Sequence, residues 1–283
     1  LVGGVSMDEQ IKKLDRGVDV LIATPGRLLD LFERGRILLT AIKVLVIAEA
    51  DRMLAMGFIR EIERLVGLFP PLRQTLLFSA TMQPEIRKLT EKFLSNPKEV
   101  SVAPPASTAK NVEQFVIKTS KTDKDITLEK LIREEKVQNA FIFCNRKRDI
   151  DGLTRFLQKK GYNARGLHGD MAQSNRTETL ADFKDGKVTL LVCSDVAARG
   201  LDVQGLSHVF NYDVPFNADD YVHRIGRTGR AGMDGRAWML VTSADDKHFT
   251  AIEKLIKQTI TVAKVGGDQT KATPSKKPED KKP

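Results

Sequence analysis

The chain has 283 residues, of which 41% are hydrophobic and 29% charged, and its formal net charge is +9. This length has room for two domains with ordinary hydrophobic cores. The positive charge predicts a polyanionic partner without saying which one. The sequence contains no run of about 18 apolar residues and no secretory signal pattern, so we expect neither export nor a membrane span.

The two cysteines, Cys144 and Cys193, each lie inside an apolar run. We therefore expect buried thiols in a reducing compartment rather than a disulfide or a metal site. We predict a cytoplasmic protein and expect a monomer. Residues 263–283 are rich in Lys, Pro and Thr and lack apolar residues for packing, which predicts a disordered basic tail.

The first hundred residues alternate apolar runs with amphipathic segments. The runs are too apolar on both faces for a half-exposed sheet, and we interpret them as buried strands. They are residues 18–24 (VDVLIAT), 44–48 (VLVIA) and 74–80 (QTLLFSA). Helices are predicted between them, over residues 27–33, 59–68 and 84–93. This alternation indicates an α/β fold with a parallel sheet covered by helices.

A second α/β series follows a boundary. Residues 104–110 contain Pro-Pro and few large apolar side chains, which indicates a linker between a first domain over 1–103 and a second over 111–262. Strands are predicted in VEQFVIK, AFIFC, NARGL, VTLLVC, SHVFNY and RAWMLV. Helices are predicted over residues 128–135, 147–160, 173–183 and 245–258. The second series looks complete, whereas we expect the first domain to be incomplete and truncated at its N-terminus.

Ligands in open parallel sheets sit beyond the carboxyl ends of the strands, where this sequence places its unusual residues. The segments are TPGR, AEAD, SAT, SDVAARGLD and, over residues 221–232, YVHRIGRTGRAG. In the last segment three arginines, Arg224, Arg227 and Arg230, alternate with glycines at a three-residue spacing. Guanidinium forks suit phosphate, which predicts an anion site. A basic solvated helix end, or ordinary turn and cap chemistry, would explain each segment taken singly.

Taken together, TPGR, AEADRML, MGF, SAT, FCN, LHGDM, SDVAARGLD and HRIGRTGR resemble, in this order, the later motifs of a bacterial-type DEAD-box RNA helicase of superfamily 2. The resemblance covers residues 3–258. It implies two RecA-like domains that close on ATP and single-stranded RNA and use hydrolysis to separate or release strands.

The resemblance also implies roles for individual residues. Glu49 would orient or activate the attacking water, and Asp51 would connect the ATP site to the rest of the cleft. Ser79 and Thr81 would couple hydrolysis to strand separation, and His223 would link the motifs of the two domains. The residues implied to bind ATP are Asp202 at the ribose, Arg227 and Arg230 at the phosphates, and Gly200.

RNA would be held through its sugar-phosphate backbone, with little sequence preference. The implied contacts in the first domain are Gly3, Gly4, Thr24, Pro25, Gly26 and Arg27. Those in the second domain are Asn145, Arg146, Gly169, Arg176 and Ser194.

Two departures from the family pattern bear on ATP and Mg²⁺. The chain contains no G-x-x-x-x-G-K-[ST] loop to hold the phosphates. Ala48 stands where the family has the aspartate that organises magnesium, so no direct metal ligand is expected. We hypothesise that ATP hydrolysis by this chain alone is impaired. A non-catalytic RNA-binding module and a DNA-directed helicase of the same superfamily remain the alternatives.

Overall fold

The computed structural model describes residues 1–101, 111–198, 201, 203, 205–229 and 233–265. The chain forms two compact units, unit 1 over Leu1–Pro105 and unit 2 over Ala106–Pro283. The predicted linker and residues 266–283 of the predicted tail lie outside the described residues. Ala263, which we assigned to that tail, is buried, and its N–H donates to Val116 O at 2.8 Å. The start of the predicted tail therefore packs on unit 2.

Unit 1 alternates helices with two parallel strands. Its elements are α1 Met7–Leu14, α2 Pro25–Glu33, β1 Val44–Ile47, α3 Ala50–Ala55, α4 Ile59–Leu68, β2 Gln74–Leu77 and α5 Pro84–Phe93. The two strands pair in register from Val44 opposite Gln74 to Ile47 opposite Leu77. The three helices predicted between the strands are confirmed. Proline occupies the first turn of both α2 and α5, where its missing N–H leaves no helical bond unmade.

The strand predicted over residues 18–24 is wrong. This segment contains a bend at residues 19 and 20 and pairs with no strand, and Val20 and Ile22 are 79% and 82% exposed. Its backbone is bonded to the first residue of the chain, because Thr24 N–H donates to Leu1 O at 2.9 Å. An apolar run becomes a strand when a neighbouring strand satisfies its backbone groups. Among the described residues, no strand lies beside this one.

The prediction that both faces of β1 and β2 are buried is also wrong. Leu45, Ile47 and Leu77 pack against the helices, whereas Val44 and Val46 are exposed. Side chains of successive strand residues point to opposite faces. The described helices of unit 1 therefore cover one face of its sheet.

Unit 2 is built on a seven-stranded sheet in which every pairing is parallel. Its helices are α6 Lys124–Glu134, α7 Lys147–Lys159, α8 Gln173–Lys184, α9 Asp195–Ala198, α10 Ala218–Ile225 and α11 Asp246–Ile256. Its strands are β3 Val112–Lys118, β4 Ala140–Phe143, β5 Ala164–Leu167, β6 Leu190–Cys193, β7 His208–Asn211, β8 Gly235–Val241 and β9 Thr261–Val262. The strand order is β5-β6-β4-β7-β8-β3-β9. The predicted parallel α/β fold is confirmed.

Helices cover both faces of this sheet, which explains why its strands are apolar at successive positions. On one face α6 and α7 pack against Ile142 and Trp238. On the other face α8 packs against Phe141, and α10 and α11 pack against Met239. Cys144 and Cys193 are buried and form no disulfide, as predicted, and burial raises the pKa of both thiols. No described helix is long and apolar enough to cross a membrane.

Gly229 is required by the packing of unit 2. Its φ of +67° lies in the left-handed region, and a Cβ there would approach Val112 Cγ2 to 2.4 Å. Gly152, in the middle of α7, has no atom within 4 Å of the corresponding position. A methyl group added at position 229 would therefore clash, whereas one added at position 152 would not.

We expect Gly229→Ala to lower the free energy of unfolding of unit 2 by about 2–4 kcal/mol, since it adds both backbone strain and a clash. Gly152→Ala, the matched control, should raise it by about 0.5–1 kcal/mol because alanine is the better helix former. Urea unfolding followed by the fluorescence of Trp238, the one tryptophan of the chain and buried in unit 2, measures both. A Gly229→Ala protein as stable as the parent would contradict the packing argument.

Candidate functional site

Glu49 follows β1 in a backbone conformation that non-glycine residues avoid. Its φ of 58° and ψ of 48° are left-handed, which costs about 1 kcal/mol or more. Two of the other described non-glycine residues with positive φ, Lys136 and Lys257, lie just beyond helix ends, where this conformation is common. At Glu49 the chain turns from a strand into α3, held by a bond from Ala50 N–H to Phe78 O at 3.0 Å. This turn leaves the Glu49 carboxylate exposed to solvent.

Asp51, Ser79 and Thr81 form one hydrogen-bonded unit at the carboxyl ends of β1 and β2. Asp51 Oδ2 accepts from Thr81 N–H at 2.9 Å and from Thr81 Oγ1 at 3.1 Å. Ser79 Oγ accepts from Asp51 N–H at 3.2 Å. Asp51 and Thr81 are buried, so water does not compete for these bonds. Two segments that are 28 residues apart in sequence are thereby fixed to each other.

The carboxylate of Glu49 lies 3.4 Å from the Nε of Arg52, which is buried one helical turn further on. Ala48, immediately before it, is exposed and offers a methyl group. A magnesium site needs oxygen ligands, and no group of three or more acidic, histidine or cysteine side chains in the described chain could hold a metal ion. The residues at this turn therefore do not fit a protein-bound Mg²⁺.

The predicted RNA contacts of unit 1 lie in two segments that touch each other. Arg27, in the first turn of α2, donates from both Nη atoms to Val5 O at 3.3 and 3.4 Å. Val5 follows the exposed pair Gly3 and Gly4. The rest of the set lies beside Arg27, at the start of α2, and comprises Thr24, Pro25 and Gly26. Gly3, Gly4, Thr24 and Gly26 are exposed, and we call them, with the partly buried Pro25 and Arg27, the small-residue surface of unit 1.

The predicted RNA contacts of unit 2 follow three neighbouring strands. Gly169 comes after β5, Ser194 after β6, and Asn145 with Arg146 after β4. These strands are adjacent and parallel, so their carboxyl ends lie at one edge of the sheet. Arg176 is on α8, the next helix after Gly169, and its Nε is buried without a hydrogen-bond partner among the described residues. This guanidinium has unused bonding capacity.

The side chain of Asn145 is engaged inside unit 2. Its Nδ2 donates to Val214 O at 2.8 Å, and its Oδ1 accepts from Arg224 Nη2 at 2.9 Å. Its N–H also donates to Asp213 Oδ2 at 3.0 Å. Its role as an RNA contact stays a prediction. The exposed Arg146 is the residue immediately before α7, and its side chain makes no capping hydrogen bond.

Arg224 does not belong to an anion site, in contrast to our interpretation of the arginine series. It is 1% exposed, and its five N–H groups make five hydrogen bonds within unit 2. Nε and Nη2 hold the carboxylate of Asp195 at 2.7 and 2.8 Å. Nη1 donates to Asn211 Oδ1 and Asp213 O, and Phe143 lies under the guanidinium at 5.1 Å. The equal three-residue spacing in the sequence does not indicate that Arg224 is buried whereas Arg227 is half-buried.

The electrostatics of this network keep Arg224 charged. Burial by itself would lower the Arg224 pKa, but the hydrogen bond and charge of Asp195, with Asp220 and Asp213, raise it overall. Asp213 in turn accepts from Lys124 Nζ at 2.8 Å, and the Lys124 side chain is 7% exposed. Sequence reasoning missed Asp213 and Lys124. Asp213 follows the end of β7, which was a usable signal, whereas nothing local distinguishes Lys124 from exposed lysines.

Two further predicted residues, His223 and Arg227, lie in the last turn of α10 and just after it. His223 and Arg227 are half-buried, and Arg227 Nη1 donates to Leu201 O at 3.1 Å. The other predicted ligands lie outside the described residues, namely Gly200, Asp202 and Arg230.

Two family models match the chain. Residues 1–89 match the DEAD/DEAH box helicase model, and residues 123–232 match the helicase conserved C-terminal domain. A DEAD box protein of the hyperthermophile Methanococcus jannaschii is 35% identical with a TM-score of 0.53, and the match covers 93% of this chain and 71% of that one. The chain belongs to the DEAD-box helicase family.

Two further comparisons are more specific. The chain is 42% identical over 258 residues to the DEAD-box ATP-dependent RNA helicase CshA of Bacillus licheniformis, covering 91% of this chain and 53% of that protein. It therefore spans about half the length of this curated relative. Saccharomyces cerevisiae Dbp5 bound to RNA and ADP BeF3 is 30% identical with a TM-score of 0.79, covering 86% of this chain and 64% of that one.

We expect Arg224→Lys to destabilise unit 2 by about 3 kcal/mol, because lysine cannot make the five bonds and leaves Asp195 poorly compensated. Arg227→Lys, its control three residues on, should change stability by less than about 1 kcal/mol. Urea unfolding monitored by Trp238 fluorescence compares them. Equal stabilities of the two variants would show that the Arg224 network does not hold the fold.

Proposed function

We propose that these residues are part of an ATP-dependent RNA helicase that unwinds or remodels RNA duplexes. The observation that supports this most is the bonding of Asp51 to Ser79 and Thr81. It joins the segment that carries Glu49 to the segment that the family uses for coupling. A change at the first would be transmitted to the second through short, buried hydrogen bonds.

The proposed ATP-site residues of unit 1 and unit 2 differ in chemistry. In unit 1 the Glu49 carboxylate would accept the proton of the attacking water. In unit 2 Arg227 and Arg230 would bind phosphate oxygens, Asp202 would hold the ribose, and Gly200 would also contact ATP. ATP, when bound, supplies the free energy of hydrolysis.

We propose that hydrolysis is weakened at residue 48. The family implies Mg²⁺, but the exposed methyl group of Ala48 replaces the oxygen that would organise it. The 283 residues also contain no G-x-x-x-x-G-K-[ST] loop, so no lysine of that motif is supplied by them to the phosphates.

RNA is the proposed partner, bound by its backbone at the small-residue surface of unit 1 and at the strand ends of unit 2. Exposed glycines at Gly3, Gly4 and Gly169 permit close approach of phosphates to the main chain. This mode carries little sequence preference.

A second candidate function is a non-catalytic RNA-binding module. Ala48 favours it, because the substitution affects the hydrolytic residues and leaves the RNA contacts unchanged. In that case RNA affinity would not respond to ATP, whereas a helicase clamps RNA when ATP binds.

The purified chain should bind single-stranded RNA in a salt-dependent manner, measured by fluorescence anisotropy. Arg27→Gln, Arg146→Gln and Arg176→Gln should each weaken binding several-fold and reduce the salt slope by about 0.7. Lys254→Gln, which removes an exposed charge from α11, is the control and should bind like the parent.

Two other outcomes would redirect the assignment. Preference for DNA over RNA of equal length would favour the DNA-directed alternative. The same RNA affinity with and without an ATP analogue would favour the non-catalytic module.

The chain should release no phosphate from ATP in response to RNA, and Glu49→Gln should leave this background unchanged. Ala48→Asp by itself should not restore turnover, because the phosphate-holding lysine is still lacking. A malachite-green assay of the three proteins tests this. Robust turnover that Glu49→Gln abolishes would overturn the proposed impairment, and turnover restored by Ala48→Asp would place the whole defect at residue 48.

A further inference from the structure

Helix α7 has the largest charge imbalance of the described helices. It carries four basic residues and two acidic residues. In each of the other described helices the numbers of basic and acidic residues differ by at most one. The positive charge of unit 2 is therefore concentrated on one element of its surface.

The excess charge of α7 lies along one face of the helix. Arg148, Gly152, Arg155 and Lys159 are exposed and recur at spacings of three and four residues, which places them on one side. We call them the α7 basic face. It extends for about 17 Å at the helical rise of about 1.5 Å per residue. Buried apolar residues form the opposite side of α7.

Two of the three charges on the α7 basic face have no acidic partner among the described residues. Arg155 and Lys159 form no ion pair with any described residue, and Arg148 lies 3.5 Å from the adjacent Asp149. By contrast, Lys147 at the start of the helix is paired with Asp170. A row of cations of which two, Arg155 and Lys159, form no ion pair with a described residue attracts a polyanion.

Gly152 leaves the centre of this face open. It is exposed, and no atom lies within 4 Å of the position of an added Cβ. Glycine inside a helix costs about 1 kcal/mol relative to alanine, and nothing in the packing requires it here. Its lack of a side chain lets a bulky group lie against the helix between Arg148 and Arg155.

We propose that the α7 basic face binds phosphates of RNA that extends beyond the strand-end contacts of unit 2. Asn145 and Arg146 immediately precede α7, so a strand leaving them meets Arg148 first and then Arg155 and Lys159. This inference rests on the proposed function, because it extends the same RNA path. It makes unit 2 a longer phosphate-binding surface than the strand ends alone.

The test uses the full chain and two fluorescent single-stranded RNAs, of about six and about twenty nucleotides, since single-strand sites span about 4–16 nucleotides. In the test variant Arg148, Arg155 and Lys159 are each changed to Gln. In the matched control Lys130, Lys247 and Lys254 are each changed to Gln. These lysines are also exposed, lie on helices of unit 2 and form no ion pair with a described residue.

The test variant should bind the long RNA about ten-fold more weakly than the control does at physiological salt. The slope of its log affinity against log salt should be smaller in magnitude by about 2. On the short RNA, the two variants should bind alike. Equal affinities of the two variants for the long RNA would overturn the proposal. Loss of binding to anionic vesicles with unchanged RNA affinity would assign the face to a lipid surface and would also overturn it.

A second pair of variants removes instability as an explanation. Gly152→Glu should weaken binding of the long RNA several-fold, although glutamate is a better helix former than glycine. Gly152→Gln adds an uncharged side chain of similar size and should weaken binding of the long RNA less than Gly152→Glu does. If both weaken it equally, bulk rather than charge is responsible and the phosphate contact is refuted.

The measurements distinguish failure of the proposed function from failure of this inference. If the parent chain binds neither RNA, the proposed function fails. If the parent binds both RNAs and Arg146→Gln weakens the short one, while the test variant matches its control on the long one, the α7 inference alone fails.

Discussion

The hydrogen bonds of the buried Arg224 guanidinium hold together the edge of unit 2 at which its strands β4, β6 and β7 end. A guanidinium has five N–H donors, and here each has an acceptor. The acceptors come from the ends of three strands, with Asn145 after β4, Asp195 after β6, and Asn211 and Asp213 at β7. Burying a charge is tolerated when its geometry satisfies every donor, and leaving one partner out is costly. The loops that follow these strands are therefore fixed relative to α10.

This network explains why the arginines of the series have different roles despite their equal spacing. Helix α10 ends at Ile225, and Gly226 caps it. Arg224 is in the last helical turn and points into unit 2, whereas Arg227 follows the helix and is half-buried. Gly229 then turns in a left-handed conformation against Val112. A glycine that seemed suited to ligand approach serves the packing of the chain on β3.

The sequence predicted most of unit 2 and less of unit 1, for a physical reason. Strands such as β3 are recognised from local composition because helices cover both faces of their sheet. Residues 18–24 have a similar composition, yet strand formation depends on a neighbour that composition does not report. The motif residues at strand ends were predicted from their order alone. The bonds of Asn145, Asp213 and Lys124 were not, because they join residues up to 89 positions apart.

At the turn after β1, the backbone conformation and the metal-binding chemistry are set by different residues. Glu49 keeps a left-handed conformation that costs free energy, and the Asp51–Thr81 bonds hold the helix that follows it. Such strain persists where surrounding contacts impose it, and it often marks a functional position. Ala48, one residue earlier, alters the donor set without touching these bonds, since its side chain is exposed. The backbone that presents the Glu49 carboxylate thus does not depend on whether residue 48 carries a metal-organising oxygen. This chain has the strained turn at Glu49 but has alanine instead of an oxygen ligand at position 48.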